Sequence, residues 1–250
     1  WGLFEEYFGK KGPLMKRGLQ HAIKRLKAWD LRTAGRVDHF VAISEHIRKR
    51  IKTAYQREAD VIYPPVDTDY FTPDPAVPRE NFYLIVSALV PYKKIEMAVQ
   101  SFNELGLRLM VIGEGPEAAS LKRAAKKNIE FLGWQSNAVV RDHYRRARAL
   151  IFPGEEDFGI VPVEMQACGG PVIAYGKGGA LETVQFHKTG LFFNEPRPES
   201  LKKAVIDFDQ RAFLAEDSRK NALRFSRQRF QMEISEKFAR LAGQKKVYSQ

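Results

Sequence analysis

An α/β fold with a mostly parallel, doubly wound sheet is the architecture that this sequence predicts, and two observations predict it. From Phe82 onward, short apolar runs alternate with longer segments in which apolar residues recur at helical spacing. Strands that alternate with helices pair in parallel, because a parallel pair needs a crossover connection, and helices then cover both faces of the sheet. The second observation is size: 250 residues with 44% hydrophobic content supply one sizeable core and a smaller appendage, but not two complete doubly wound domains.

The elements follow in order. From Pro13, the residues Met15, Leu19, Ala22, Leu26 and Trp29 keep the helical period, while Lys16, Arg17, Lys24, Arg25 and Lys27 fall mostly on other faces; this predicts a basic amphipathic helix. Val37 to Ile43 reads as a strand, and Ser44 is placed to cap a helix running to Tyr55. A second strand, Val61-Ile62-Tyr63, is stopped by Pro64-Pro65. The polar, proline-rich stretch from Asp67 to Arg79 carries no periodicity and marks a domain boundary. Beyond it the sequence predicts strands at 82–88, 107–112, 129–132, 149–152 and 172–174, and helices at 95–105, 118–127, 137–148, 162–167 and 199–210. A last helical pattern runs from Ala222 to Ala242. The expected domains are therefore a remnant at 1–63, a complete doubly wound domain at 64–225, and a carboxy-terminal helix at 226–250.

Net charge is +11, and +9 of it falls in residues 1–57, which hold 14 Lys/Arg against 5 Asp/Glu. Such a segment draws polyanions, anionic headgroups or phosphorylated substrates; a solvated helix face accounts for the same charges equally well. No recognition-module motif is present, so nucleic acid is not an expected partner. A single cysteine, Cys168, excludes an internal disulfide framework, and no Cys and His pair has metal-ligand spacing, so no bound metal is expected. The first residues form no secretory leader, and no apolar run approaches the roughly 20 residues that span a bilayer. A cytoplasmic, soluble protein is the expectation, with peripheral contact at an anionic membrane face where the basic helix meets it. The lack of an initial Met suggests a fragment.

The stretch from Pro153 to Val172 carries the most chemistry. It follows an apolar strand, passes a glycine-containing turn and opens a helix, which sets backbone amides and the positive end of a helix dipole at the carboxyl edge of the sheet. Phosphates bind there, and ligands of open α/β sheets dock at that edge. Glu156 lies before the turn and Glu164 inside the helix. A carboxylate in the turn can orient a sugar hydroxyl or stabilise charge developing at an anomeric carbon; one inside the helix can accept hydrogen bonds from a ribose diol. Val111-Ile112-Gly113-Glu114-Gly115-Pro116 can also be read as a dinucleotide fingerprint, but Pro116 follows the second glycine and the third glycine is missing.

Glu156-x₇-Glu164, with Phe158-Gly159 between them and Ala167-Cys168-Gly169-Gly170-Pro171-Val172 after them, resembles the signature of the retaining glycosyltransferases of group 1, family 4, which include many mannosyl-, glucosyl- and N-acetylglucosaminyl-transferases. The resemblance implies a GT-B architecture of two Rossmann-like domains, with the donor domain complete and the amino-terminal part of the acceptor domain missing. It implies Glu156 as the catalytic carboxylate facing the transferred sugar. It also implies a donor site of Lys93, Lys94, Gly113, Trp134, Phe158, Gly159, Ile160, Val161 and Glu164. Within Ser87-Ala88-Leu89-Val90-Pro91-Tyr92-Lys93-Lys94, Lys93 takes the position of the lysine that contacts the donor diphosphate. Many relatives carry an arginine where this chain has Ala88, and Lys94 is the candidate replacement. Backbone amides around Phe158, Gly159, Ile160 and Val161 would share the phosphate charge, and Glu164 would hold the ribose. Gly113 borders the nucleotide pocket in such proteins. Trp134 either shields the base or caps the core. Gly178-Gly179-Ala180-Leu181-Glu182 is similar to the turn beneath the active site, although a plain acidic helix start explains Glu182 equally well.

Trp1-Gly2-Leu3-Phe4-Glu5-Glu6-Tyr7-Phe8, Trp29-Asp30 and Val37-Asp38-His39-Phe40 look most like bacterial mannosyltransferases of surface-polysaccharide assembly, lipopolysaccharide O-antigen included. The function implied is transfer of a hexose, favoured as mannose from GDP-mannose with a UDP-sugar next, to a hydroxyl acceptor that is lipid-linked or a saccharide, with retention and no cofactor. Three alternatives are a nucleotide-sugar epimerase of the same architecture, a nicotinamide oxidoreductase, and a donor-binding fragment without turnover. Two such domains normally close around the donor to exclude water, so half of that arrangement is expected to be a poor catalyst.

Overall fold

A computed structural model describes residues 12–247, which divide into two compact units, one ending at Val61 and one beginning at Ile62. The segment Trp1–Phe8, which carries part of the mannosyltransferase resemblance, lies outside the described residues.

The first unit is a β-α-β arrangement preceded by a long helix. Helix α1 (Pro13–Ala34) begins with proline at its first turn, where the missing N–H costs no helical bond. Strand β1 (Phe40–Ala42) leads through Ser44 into α2 (Glu45–Tyr55), and the Ser44 hydroxyl accepts the Ile47 amide at 3.0 Å, the expected cap. Strand β2 is Ala59–Val61, not 61–63, and pairs in parallel with β1 in the register Phe40↔Ala59. The apolar Ile62 and Tyr63 continue past the ladder as part of the second unit. Tyr55 stacks on Phe40 with ring centroids 5.6 Å apart and donates to Asp30 Oδ2 at 2.8 Å, which ties α2 to α1.

The second unit holds six parallel strands: β3 (Tyr83–Val86), β4 (Leu109–Ile112), β5 (Ile129–Gly133), β6 (Ala149–Phe152), β7 (Val172–Tyr175) and β8 (Gly190–Phe193), in the order β5-β4-β3-β6-β7-β8. The helices between them are α3 (Ile95–Leu105), α4 (Ala118–Ala124), α5 (Asn137–Arg146), α6 (Ile160–Ala167) and α7 (Ala180–Thr183); α8 (Pro198–Asp209), α9 (Ala215–Leu223) and α10 (Arg227–Val247) follow the last strand. Side chains alternate across the sheet. Leu84, Met110, Leu150, Phe152, Val172 and Ala174 enter the core that includes Val163, Met165 and Tyr144 from α6 and α5, while Tyr83, Ile85, Leu109, Val111, Ile151 and Ile173 enter the core with Ile95, Val99, Phe102, Leu201 and Val205 from α3 and α8. Both faces are dry, which is why the strands read as continuous apolar runs.

Two corrections concern helix ends. Helix α4 stops at Ala124 instead of Lys127 because the Asn103 side chain takes over its last groups, donating to Ala124 O and accepting from Lys126 N, each at 2.8 Å. The helix expected over 222–242 is broken at 224–226. Phe225 is buried between Tyr63 and Phe158, and its carbonyl accepts the Val66 amide at 2.8 Å. Two arginines then fasten the proline-rich segment: Arg79 donates to the carbonyls of Tyr144, Ala147 and Cys168, and Arg219 to those of Thr68, Phe71 and Ala167. Each guanidinium gathers carbonyls from different segments, so the stretch is ordered without periodicity of its own.

Candidate functional site

In a doubly wound sheet the order of connection reverses between two neighbouring strands, and the loops leaving their carboxyl ends part to form a crevice. Here the reversal lies between β3 and β6. The loop after β3 carries Lys93 and the loop after β6 carries Glu156, so two side chains 63 residues apart are delivered to one place.

They meet directly: Lys93 Nζ donates to Glu156 Oε1 in an ion pair whose side chains are only 16% and 20% exposed. Lys93 ends a short 3-10 turn, Pro91–Lys93, and Lys94 takes a left-handed conformation (φ 56°) at the start of α3. Burial pulls the Lys93 ammonium down to about 8, and the Asp157 carboxylate works against that shift. The ammonium also lies 5.0 Å from the centre of the Tyr92 ring.

The loop around Glu156 is held from below by glycines. Glu156 bridges to Gly178, and Gly179 N donates to Glu156 O at 2.7 Å. A Cβ on Gly179 would stand 2.3 Å from Phe158 Cα, so only glycine lets the two backbones touch. Gly159 opens α6 with φ +98° and no side chain caps it, so the first amides of the helix are left without intrahelical partners. Phe158 packs its ring into the core against Tyr63 and Phe225, so its side chain anchors the loop and is not open to a ligand. Beneath α6, Asn221 Nδ2 donates to Gln166 Oε1 (2.7 Å) and Thr183 O (2.8 Å), while Gln166 Nε2 donates to Pro162 O and Thr183 O. This buried network joins α6, α7 and α9 and fixes the helix that carries Glu164.

Glu164 sits mid-helix, and its Oε2 accepts the Tyr144 phenol at 2.9 Å. Burial raises its carboxyl to about 7; the Tyr144 hydrogen bond opposes that rise and the Asp67 charge adds to it. Tyr144 is wholly buried, and its phenol is held well above its ordinary value by burial and by the neighbouring Glu164. Tyr144 escaped the sequence reading. The stripe Val140, Tyr144, Ala147 is a signal that points to it, because a hydroxyl on a buried apolar face needs a polar partner.

The remaining candidates occupy the same carboxyl edge. Gly113 (φ +131°) lies where a Cβ would come within 1.9 Å of Ser87 O, and Gly115 against Leu89 O, so these glycines serve close packing of the β4 loop on the β3 loop. Trp134, at the end of β5, is 72% exposed; it is not a core cap, and its amide faces Glu114 Oε1 at 3.4 Å. Ala88 is exposed beside Leu89. The loops after β3 and β6 touch at Gly154, where a Cβ would meet Lys93 Cα at 3.0 Å and the carbonyls of Tyr92 and Lys93 at 3.2 Å. Gly154→Ala is therefore expected to push Lys93 away, costing about 1 kcal/mol of stability by overpacking and weakening anion binding severalfold. Thermal melts and phosphate-ligand titration of the variant measure both; a lowered melting temperature with unchanged affinity would disconnect this contact from the site.

Comparison with known proteins gives the following. A family model, glycosyl transferases group 1, matches residues 68–225. The chain is 31% identical over 195 residues, 66% of its length and 51% of the relative's, to a GDP-mannose-dependent alpha-(1-6)-phosphatidylinositol monomannoside mannosyltransferase of Mycobacterium tuberculosis. It is 27% identical over 214 residues, 82% of its length and 60% of the relative's, to an uncharacterised glycosyltransferase of Methanocaldococcus jannaschii. The chain thus spans about half to three fifths of these relatives. Among solved structures, Anabaena HepE in complex with UDP and glucose aligns with a TM-score of 0.75 at 20% identity, over 85% of this chain and 66% of that one. That likeness is one of fold.

Proposed function

We propose a function for this chain from one premise: it belongs to the glycosyl transferases group 1. The reading is a hexosyltransferase that moves a sugar from a nucleotide diphosphate to a hydroxyl acceptor with retention at the anomeric carbon, GDP-mannose being the favoured donor. One observation carries it, the Lys93–Glu156 ion pair at the topological switch point beside the opened start of α6. A cation, a row of backbone amides and a carboxylate within one crevice are what a diphosphate leaving group and an electron-poor sugar carbon require.

In this reading the diphosphate replaces Glu156 as the partner of Lys93 and takes hydrogen bonds from the amides of residues 158–161. Its negative charge holds the partly buried lysine protonated, against the pull of burial. As the bond from the anomeric carbon to the phosphate oxygen lengthens, Lys93 and the amides receive the charge that develops on the phosphate. Glu156, released from Lys93, faces the sugar and balances the positive charge on the anomeric carbon. Glu164 holds the ribose diol, and Trp134 covers the base. GDP-mannose is favoured over a UDP-sugar because the mycobacterial relative is named for it, while HepE was solved with UDP. A lipid-linked acceptor at an anionic membrane suits helix α1, whose exposed Met15, Leu26 and Trp29 accompany basic residues.

Calorimetric titration of this chain with GDP, GDP-mannose, UDP and UDP-glucose tests the reading. Selective binding of the guanine nucleotides is expected; selective binding of the uracil ones overturns the mannosyl assignment, and binding of none overturns the donor site. Lys93→Ala is expected to weaken GDP about tenfold and guanosine hardly at all, since a charge-assisted hydrogen bond is worth about 1.5–3 kcal/mol. Equal losses for the two ligands would remove Lys93 from the diphosphate site.

A further inference from the structure

Glu164 has two carboxylate oxygens, and the structure treats them differently. Oε2 accepts the phenol proton of Tyr144, whereas Oε1 has no donor among the described residues. The phenol is not free to wander. Tyr144 lies on α5, fully buried, with its ring edge-on to Phe71 at 5.7 Å, and Phe71 is itself fixed by Arg219, which donates to the Phe71 carbonyl at 2.8 Å. Arg79 donates to the Tyr144 carbonyl at 3.2 Å. A hydroxyl clamped in this way sets the rotation of the carboxylate that it touches, because a buried phenol deprived of its acceptor would be left unsatisfied.

We propose that Tyr144 is the positioning residue of nucleotide recognition, holding one oxygen of Glu164 so that the other is aimed at the ribose diol of the donor. The assignment rests on the reading of Glu164 as the ribose-binding carboxylate. A carboxylate accepts several hydrogen bonds, and one bond from the protein side leaves the outer oxygen to meet both ribose hydroxyls. Preorganisation by a neighbour that never touches the ligand is what keeps such a group from spending affinity on its own ordering. The segment carrying Phe71 thereby acquires a role: it backs the tyrosine that backs the glutamate.

The test is titration of the parent chain and of Tyr144→Phe with GDP and with 2′,3′-dideoxy-GDP, repeated with the uridine pair where that is the nucleotide the parent prefers. The phenylalanine ring has the same shape, so the core stays filled, and a thermal melt checks it. Tyr144→Phe is expected to lose about tenfold in affinity for the ribonucleotide and less than about twofold for the dideoxy compound, one hydrogen bond to a charged group being at stake. Equal losses on both ligands, or no loss on either, overturn the positioning role. A parent chain that binds the ribo and dideoxy compounds equally overturns the reading of Glu164 itself, which separates the two failures. The double variant Tyr144→Phe/Glu164→Gln gives a second measure that does not depend on the dideoxy ligand. The tyrosine loss is expected to vanish once Glu164 is neutral, and additive losses would place Tyr144 outside the pathway to the ribose.

Discussion

Glu156→Gln is expected to cut turnover of the nucleotide-sugar donor by roughly 10²–10³-fold while leaving donor affinity unchanged or slightly tighter. Glutamine keeps the length and shape of the side chain, and the loop that presents it is fixed by the bridge to Gly178 and by the Gly179 amide on the Glu156 carbonyl, neither of which involves the carboxylate. What disappears is one negative charge in a crevice where Lys93 and Glu156 are both less than a quarter exposed. In a site so shielded from water, a fixed charge acts more strongly than it would in bulk solvent, and on the proposed role of Glu156 it would act on the anomeric carbon. The affinity effect has the opposite sign. In the free protein Lys93 is paired with Glu156, and an incoming diphosphate must displace that partner. The amide of glutamine competes less for the ammonium, so the ground-state complex gains what the transition state loses. Release of nucleoside diphosphate from the nucleotide sugar, measured beside a calorimetric titration, separates the two. Unchanged turnover would end the catalytic role of Glu156, and a rise in KM with constant kcat would reassign the residue to binding alone.

How far the sequence foretold this arrangement depends on where each instruction is written. Ser44 and its helix, the span Ile95–Leu105 before Gly106, and the strand Ala149–Phe152 are local messages, and each element lies where the sequence puts it. The break at Phe225 is not local: no glycine or proline marks it, and a carbonyl claimed by Val66 together with two distant aromatic rings decides it. Helix α9 was invisible for another reason. Its buried face is Ser218, Asn221 and Ala222, small and polar residues that give no apolar periodicity, and Asn221 is buried because Gln166 and Thr183 satisfy it. The site divides in the same way. Glu156, Gly159 and Glu164 fall within one continuous motif, and Lys93 is singled out by its likeness to a family loop. That Lys93 and Glu156 grip one another, and that Tyr144 grips Glu164, are facts of packing between segments 63 and 20 residues apart, beyond any local pattern.

Glu164 also sets an expected pH dependence, with stability and function responding in opposite directions. Its carboxyl is raised by burial from the usual 4.5 to about 7, with the Tyr144 phenol opposing the shift and Asp67 adding to it. Below about 4.5 the group is neutral in folded and unfolded chains alike and carries no penalty. As pH rises toward 7 the unfolded chain ionises freely while the folded one resists, so stability is lost across that window and the loss is complete above it. A Gln at this position never ionises. Glu164→Gln is accordingly expected to be more stable than the parent at pH 8 by on the order of 1–3 kcal/mol, with the difference fading as pH falls toward 4.5. On the proposed role of Glu164 the cost falls on ligand binding, where the ionised carboxylate would be the acceptor for the ribose hydroxyls. Parent affinity for a nucleotide sugar should be about tenfold weaker at pH 6 than at pH 8, and Glu164→Gln should be weak and flat across the same range. The ligand must be the sugar ester: the terminal phosphate of a free nucleoside diphosphate has its own ionisation near pH 6 and would imitate the effect. Denaturant melts at several pH values give the first half and titrations the second. A variant that is less stable at pH 8, or a parent whose affinity is flat from pH 6 to 8, would mean that this buried carboxylate is structural rather than held charged, at a cost to the fold, for the donor.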